Sequence, residues 1–571
     1  MRVPPTLVDA VRALAGDAAR GFVFVRADGS ERLYSFQDIA AEATRRGAHL
    51  AARGLRKGDR LAMVVPDGEE FVLSFLGALF AGVVPVPIYP QLSFKNIEGY
   101  HDTVAHIARA SGAAMLLTTT PTRQYVEPVL PRVDTLRALV TVDELAADPP
   151  AELDRASTPS PGDLAFLQFT SGSTSRPKGV MVTHGNLAAN AEAFMLDGLA
   201  RDPAVDKGVS WLPLFHDMGL IGFVVGPLFT NIPCVFLPTA SFVRAPRIWL
   251  DKIHEHRGTI TYAPNFAYAL VAKRLKDKDV EGLDLRCLRI AGCGAEPIQA
   301  RALRDFAARL APAGFDPRAF LPSYGMAEAT LAITFMPLRE GLRTDESDTG
   351  KELVDCGRPF PGHELAIVDE AGRRLGERQV GQIVTRGPSV TGGYFQEPEL
   401  TAEAYRVLPD DPAGAPWLFT GDLGYRVGDR LFVCGRVKDI IIIRGRNYYP
   451  SDIEWSVSEL PGVRRGNVVA FGVDVDGEEQ LVVCCEGTAA DSAAIREAAA
   501  SCVTQQFGLS VHEVVVTPLA SLPRTSSGKP QRRKTRDMYL QGTLPRARTV
   551  HGSGEAGAEP PQAWAKPEET A

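Results

Sequence analysis

Residues 170–179 read Thr-Ser-Gly-Ser-Thr-Ser-Arg-Pro-Lys-Gly, a hydroxyl- and glycine-rich loop that closes on Lys178. The apolar run Leu164-Ala-Phe-Leu-Gln-Phe169 precedes it and Val180-Met-Val182 follows, so the context is strand, loop, strand. Glycine lets backbone N–H groups come close to a polyphosphate, hydroxyls donate further hydrogen bonds, and Lys178 adds a point charge. The same composition also serves a plain surface turn, where Ser, Thr, Gly and Pro gather. A Walker loop is excluded. That motif needs glycine before its lysine and Ser or Thr after it, whereas Pro177 precedes Lys178 and Gly179 follows.

Outward from this loop, apolar runs alternate with helical periods. Ser35 to Leu50 reads as a helix capped by Ser35, with Phe36, Ile39, Ala43, Gly47 and Leu50 on one stripe. Strands at Leu61 to Val65, 83–88 and Ala114 to Thr118 are separated by helices at Glu69 to Ala81 and near 102–111. Strands at Gly208 to Leu212, Val235 to Leu237 and Leu288 to Ala291, with helices at Arg247 to Arg257 and Phe266 to Leu275, continue the pattern. Such alternation implies parallel pairing with helices on both faces, an α/β fold of doubly wound sheets. Short β runs with turns recur through 340–433, a mostly β subregion. After residue 440 the texture becomes α+β: a strand at Ile440 to Ile443, a hairpin at 468–485, a helix at Asp491 to Gln506 and a strand at Val511 to Thr517. The Gly-, Pro-, Glu- and Ala-rich tail over 546–571 has no period and reads as disordered.

A chain of 571 residues exceeds one ordinary domain. Its net charge of −7, with no basic stripe carrying aromatics, argues against nucleic acid as a partner. The eight cysteines form no CxxC pair and no His pair stands at zinc spacing, so neither a disulfide framework nor a structural metal is expected. No signal-peptide core is present, and a cytoplasmic location is the expectation. The longest apolar run, Phe71 to Val86, is interrupted by Ser74, Gly77, Gly82 and Pro85, and a spanning helix needs ~20 apolar residues. No integral membrane segment is expected.

Six further motifs follow the loop in order. They are Trp211-Leu-Pro-Leu-Phe-His-Asp-Met-Gly-Leu220, Gly292-Cys-Gly-Ala-Glu-Pro297, Ser323-Tyr-Gly-Met-Ala-Glu-Ala-Thr330, Thr420-Gly-Asp-Leu-Gly424, Gly435-Arg-Val-Lys-Asp-Ile440 running into Arg444-Gly-Arg-Asn-Tyr-Tyr-Pro450, and Ser526-Ser-Gly-Lys-Pro-Gln-Arg532. The series resembles the adenylate-forming superfamily of acyl-CoA synthetases, adenylation domains and luciferases, over roughly residues 5 to 540. Within it, Phe215-His-Asp-Met-Gly219, Gly294-Ala-Glu-Pro297, Ala327, Thr261-Tyr-Ala-Pro-Asn-Phe-Ala-Tyr268 and the Arg444 motif are similar to fatty acyl-AMP ligases. The resemblance implies an N-terminal AMP- and acyl-binding domain over 1–437, a smaller mobile domain over 438–545 and a fatty acid substrate. ATP and Mg²⁺ are implied with it, as is transfer to the phosphopantetheine thiol of an acyl carrier protein.

It also implies roles. Thr170, Ser171, Gly172, Ser173, Thr174 and Lys178 would hold the β- and γ-phosphates. Glu328 would bind Mg²⁺, which suits a hard oxygen ligand. Tyr324 would stack on adenine, with Gly325 and Met326 beside it, and Gly294, Ala295, Glu296 and Pro297 would line the purine pocket mainly through backbone. Asp422 would accept from the ribose hydroxyls, Arg436 would contact ribose or phosphate, and Lys438 would be the hinge. Lys529 would be the main catalytic cation, and His216 would stand near the carboxylate end of the acyl tunnel. Arg532, Arg533 and Lys534 suit either a solvated loop or an acidic carrier protein. Phe242, Trp249, Phe266 and Tyr268 suit either the tunnel wall or ordinary core. These ligases carry an insertion after the Tyr324 motif. The matching stretch here, Met336 to Val354, is short and polar, which keeps coenzyme A open as the alternative acceptor. A non-catalytic acyl or nucleotide sensor is disfavoured because Lys529, Glu328 and Asp422 are all present.

Overall fold

The computed structural model describes residues 2–90, 97–149, 151–154, 157–170, 177–346, 352–443, 446–475, 478–488, 490–525 and 529–547. The expected tail lies outside the described residues from 548 onward. The chain forms two compact units, Met1–Ile440 with Arg524–Lys529, and Ile441–Pro523 with the chain from Pro530.

In the larger unit, the parallel strands Val84–Pro87, Arg60–Val64, Met115–Thr118 and Ala138–Thr141 lie in that order. The helices on either side of Arg60–Val64 in the chain form for local reasons. Ser35 Oγ accepts from the Asp38 N–H at 3.0 Å while the Asp38 carboxylate accepts from the Ser35 N–H at 3.0 Å, a reciprocal cap on Phe36–Ala52. Asp67 caps Gly68–Phe80, whose Phe71, Leu73, Phe75, Leu76 and Leu79 are all buried. Burial all round from Phe71 to Phe80 fits a sequence in which only Ser74 and Gly77 interrupt the apolar residues, each large apolar side chain contributing about 1.5–3 kcal/mol. The two helices approach at glycines. A Cβ on Gly47 would come within 2.8 Å of Gly77 O, and one on Gly77 within 2.7 Å of Arg46 Cβ.

A second sheet has nine strands, in the order Arg358–Pro359, Ala332–Phe335, Phe320–Gly325, Ile290–Cys293, Ile260–Ala263, Gly208–Ser210, Cys234–Phe236, Gly21–Val25 and Glu31–Ser35. Strands from Phe320–Gly325 through Gly21–Val25 pair in parallel, and the antiparallel pairs lie toward the two edges. Ligands of open parallel sheets bind beyond the carboxyl ends of the strands. At those ends stand Pro264-Asn265, Gly294 to Pro297 and Tyr324.

The β subregion is an antiparallel sheet of Glu364–Val368, Gly381–Arg386, Pro416–Val427 and Tyr405–Val407, with Arg430–Arg436 paired to Pro416–Val427. Thr420 to Gly424, which alone reads as a turn, lies inside the long strand. Leu423 and Gly424 pair on both sides and Asp422 pairs with Arg436, while Thr420 and Gly421 bulge out of the ladder between Val384↔Phe419 and Gln382↔Leu423, with Gly421 left-handed at φ +76°.

The smaller unit holds the three-stranded sheet Val468–Val475, Glu478–Glu486 and Val511–Thr517, and the helices Pro450–Ser458, Ser492–Phe507 and Arg532–Leu540. Its core is Ile453, Val457, Leu481, Val483, Ile495 and Val503 with their neighbours. Among the described residues, no helix is long and apolar enough to cross a membrane.

Candidate active site

The strands on either side of the glycine- and hydroxyl-rich segment form a hairpin. Leu164–Thr170 pairs antiparallel with Lys178–Thr183, and Thr170 stands opposite Lys178. Ser171, Gly172, Ser173 and Thr174 lie outside the described residues. The Lys178 ammonium rests 4.8 Å from the centre of the Tyr394 ring, a cation–π contact. The backbone around Tyr394 is tied to the same hairpin. Gly393 O accepts from the Met181 N–H at 3.0 Å, and the Phe395 N–H donates to Gly179 O at 2.8 Å.

Tyr394 Oη donates to Glu328 Oε1 at 2.8 Å, and the Thr391 N–H donates to Glu328 O at 2.9 Å. Glu328 lies on the short 3₁₀ turn Ala327–Ala329 that follows the Tyr324 strand. Burial raises its proton affinity, and the Tyr394 hydroxyl works against that. Tyr394 was not singled out by the sequence. Only the Gly392-Gly393 pair before it, which permits close backbone approach, hints at a role.

Tyr324 closes the strand Phe320–Gly325 and is 9% exposed. Its Oη donates to Asp422 Oδ2 at 2.7 Å. Asp422 and Arg436 face each other across adjacent strands, and Arg436 Nε donates to Asp422 Oδ1 at 3.1 Å. The carboxylate raises the affinity of that guanidinium for its proton.

Beyond Ile290–Cys293 the chain turns sharply through Gly294 and Ala295. Ala295 has φ +67°, and a Cβ at Gly294 would meet Ser323 Oγ at 2.8 Å. The Glu296 carboxylate accepts from the Phe266 N–H at 2.7 Å, so its side chain secures the turn. Lys529 Nζ donates to Ala295 O. Loss of water lowers the proton affinity of this ammonium, and Glu296, first among its charged neighbours, opposes the shift. Arg436, Asp217 and Asp422 also act on it. Glu328 in turn feels Arg436 and Asp217. The predicted Lys529, Glu296, Asp422, Arg436 and Glu328 therefore share one electrostatic neighbourhood.

His216 precedes the short helix Asp217–Leu220, and its carbonyl accepts from the Leu220 N–H at 2.9 Å. Asp217, which the sequence reading left without a role, lines the cavity beside Gly294, Ala295 and Tyr324, and burial raises its proton affinity. The cavity encloses about 750 Å³, open solvent included, and runs inward past Phe223, Tyr262 and Phe335 to Ile260 and Cys234.

Of the four aromatics offered for the tunnel, Phe242, Trp249 and Tyr268 belong to the core. Each is fully buried and none borders the cavity. Trp211 stacks on Phe242 at 3.8 Å, and Trp249 meets Phe242 edge-on at 5.7 Å. Trp249 Nε1 donates to Thr261 Oγ1 at 2.9 Å and Tyr268 Oη to Gly292 O at 2.6 Å, so their polar tips are satisfied inside the protein. Phe266 is 38% exposed and likewise does not border the cavity. Lys438 lies exposed on the single turn Val437–Asp439. In the smaller unit, Arg532 is engaged by Glu454 at 3.0 Å.

The AMP-binding enzyme family matches residues 14–395, and the AMP domain of the Disco-interacting protein 2-like family matches 438–549. The chain is 36% identical over 562 residues to a putative acyl-CoA synthetase of Caulobacter vibrioides, covering 94% of this chain and 96% of that one. It is 36% identical over 521 residues to a long-chain-fatty-acid–AMP ligase of Mycobacterium marinum, covering 84% and 87%. A solved structure from work on fatty acyl-adenylate ligases of E. coli and L. pneumophila superposes with a TM-score of 0.88 at 34% identity, over 94% of this chain and 98% of that one. The chain belongs to the AMP-binding enzyme family.

Proposed function

We propose that this chain is a fatty acyl-AMP ligase. It joins a medium- or long-chain fatty acid to ATP as an acyl-adenylate, releases pyrophosphate, and passes the acyl group to the phosphopantetheine thiol of an acyl carrier protein. One observation carries the reading: the charged cluster of Lys529, Asp422, Arg436 and Glu328 gathers about Tyr324 and the Ala295 turn, which border the mouth of an apolar cavity.

In adenylation a carboxylate oxygen attacks the α-phosphorus, and the bond from that phosphorus to pyrophosphate breaks. Both reactants are anions, so positioning and charge neutralisation supply the rate. Lys529 is the cation for the α-phosphate and the carboxylate, while Lys178 and Arg436 serve the remaining phosphate and ribose oxygens. Asp422, held from two sides by Tyr324 and Arg436, accepts from the ribose hydroxyls. Glu328 fits Mg²⁺, because it is a hard oxygen ligand in a buried place short of positive charge. When bound, the ion neutralises phosphate oxygens. His216, whose ring lies 5.0 Å from that of Phe215, is assigned to the carboxylate end of the acyl site on the strength of its motif. In the second half-reaction sulfur attacks the carbonyl carbon and the bond to AMP breaks. Lys438 is the hinge between the two half-reactions, at the junction of domains 1–437 and 438–545.

Coenzyme A is the alternative acceptor. The short stretch Met336 to Val354 favours it. Thr344–Glu346 pairs there with Glu352–Val354, and Tyr425 Oη anchors Asp345 at 2.7 Å. The Phe215, Gly294 and Arg444 motifs favour the carrier protein. Exchange of labelled pyrophosphate into ATP tests adenylation itself. Exchange that requires a fatty acid supports the reading, and no exchange with any acid from octanoate to stearate refutes it.

A further inference from the structure

Tyr394 stands between a carboxylate and an ammonium at the phosphate end of the site. Its Oη donates to Glu328 Oε1 at 2.8 Å, and the Lys178 ammonium lies 4.8 Å from its ring centre. The residue is 8% exposed. Its backbone is held without help from either partner: Val180 and Tyr394 form an antiparallel bridge, and the Tyr394 N–H donates to Thr401 Oγ1 at 3.0 Å. A planar ring on a pinned backbone is a rigid spacer between the two charges.

The same segment grips the turn that carries Glu328. The Thr391 N–H donates to Glu328 O at 2.9 Å, and Thr330 Oγ1 donates to Ser389 O at 2.6 Å. Thr330 has φ +69°, a left-handed backbone that a β-branched residue keeps only where its surroundings impose it. These contacts fix where the turn lies, and neither touches the carboxylate. The bond from Tyr394 Oη does, and it gives one carboxylate oxygen a definite direction. Hydrogen bonds to an ionised acceptor are among the strong ones. Groups that orient a metal-binding side chain in this way contribute roughly ten- to hundredfold to metal affinity.

We propose that Tyr394 is a positioning residue for adenylation: its hydroxyl sets the Glu328 carboxylate for Mg²⁺, and its ring seats Lys178 for the β- and γ-phosphates. One side chain thereby fixes the spacing between the metal ligand and the phosphate lysine. This rests on the acyl-adenylate reading above. The test measures binding rather than turnover: the dissociation constant of α,β-methylene-ATP by calorimetry, with Mg²⁺ and with EDTA. Wild type should bind more tightly with Mg²⁺. In Tyr394→Phe the ring stays beside Lys178, so affinity in EDTA should hold while the gain from Mg²⁺ falls roughly tenfold. Tyr394→Leu should lose that gain and also roughly two- to fivefold of the affinity in EDTA. In a Glu328→Gln background Tyr394→Phe should cost nothing further, because the two changes remove one interaction. A Tyr394→Phe protein with the full gain from Mg²⁺, or one weakened equally with and without the ion, overturns the proposal. So does an undiminished loss in the Glu328→Gln background. Wild type that gains nothing from Mg²⁺ overturns it together with the metal role of Glu328. The expected binding pattern without adenylate from any acid overturns the ligase reading alone.

Discussion

Tyr324→Phe removes one oxygen from the site and keeps the ring. The lost hydrogen bond, 2.7 Å from Tyr324 Oη to Asp422 Oδ2, is made to a charged group and carries about 1.5–3 kcal/mol. Asp422 is 8% exposed and retains Arg436 at 3.1 Å, so water cannot fully replace the phenol and the carboxylate loses one of its two fixed directions. If Asp422 receives the ribose hydroxyls, that energy appears as a roughly ten- to hundredfold rise in KM for ATP. The effect on kcat should be smaller, because the ribose is held alike before and during reaction. The assay is steady-state pyrophosphate release with ATP and with 2′-deoxyATP. Wild type should favour ATP, and the preference should shrink in Tyr324→Phe, since variant and missing hydroxyl address one interaction. An unchanged KM for ATP with undiminished preference over 2′-deoxyATP would refute the assignment of Asp422 and of the tyrosine that orients it.

Lys529→Ala should slow acyl-adenylate formation at least ~100-fold in single-turnover assays, the scale for one preorganised group facing developing charge. The pH profile tests the same residue. Its ammonium loses its proton below the ordinary lysine range, so adenylation should decline with rising pH earlier than a free lysine would allow. Lys529→Arg, which stays charged, should remove that alkaline limb. Gly222 lines the cavity, and a Cβ there meets only Leu331 Cδ2 at 3.7 Å, so Gly222→Phe has room to project inward. Its kcat/KM should fall more for palmitate than for hexanoate. Lys438→Pro should impair one half-reaction more than the other in separate exchange and transfer assays, and equal loss would place the hinge elsewhere.

Local chemistry made much of this molecule legible. Ser35 and Asp38 mark a helix start because their hydrogen bonds span three residues. The hairpin strands around the opening loop are apolar runs of the expected length. What stayed hidden depends on distant pairing. Tyr394 reaches Glu328 across 66 residues, and no local pattern announces that contact. Phe242, Trp249 and Tyr268 have the same composition whether they face a cavity or one another, and only the stacking with Trp211 and Phe306 decides it. Thr420 to Gly424 has turn residues, and they make a bulge inside a long strand, which only the pairing of the flanking strands reveals.

The choice of acceptor decides between the two forms of the proposed activity. The protein is supplied with ATP, Mg²⁺ and a fatty acid, together with phosphopantetheinylated acyl carrier protein and an excess of coenzyme A, and all acyl products are identified by mass spectrometry. The expected products are acyl-adenylate and acyl-carrier thioester, with no acyl-CoA. Abundant acyl-CoA with an unmodified carrier protein would contradict the assignment and make this chain an acyl-CoA ligase.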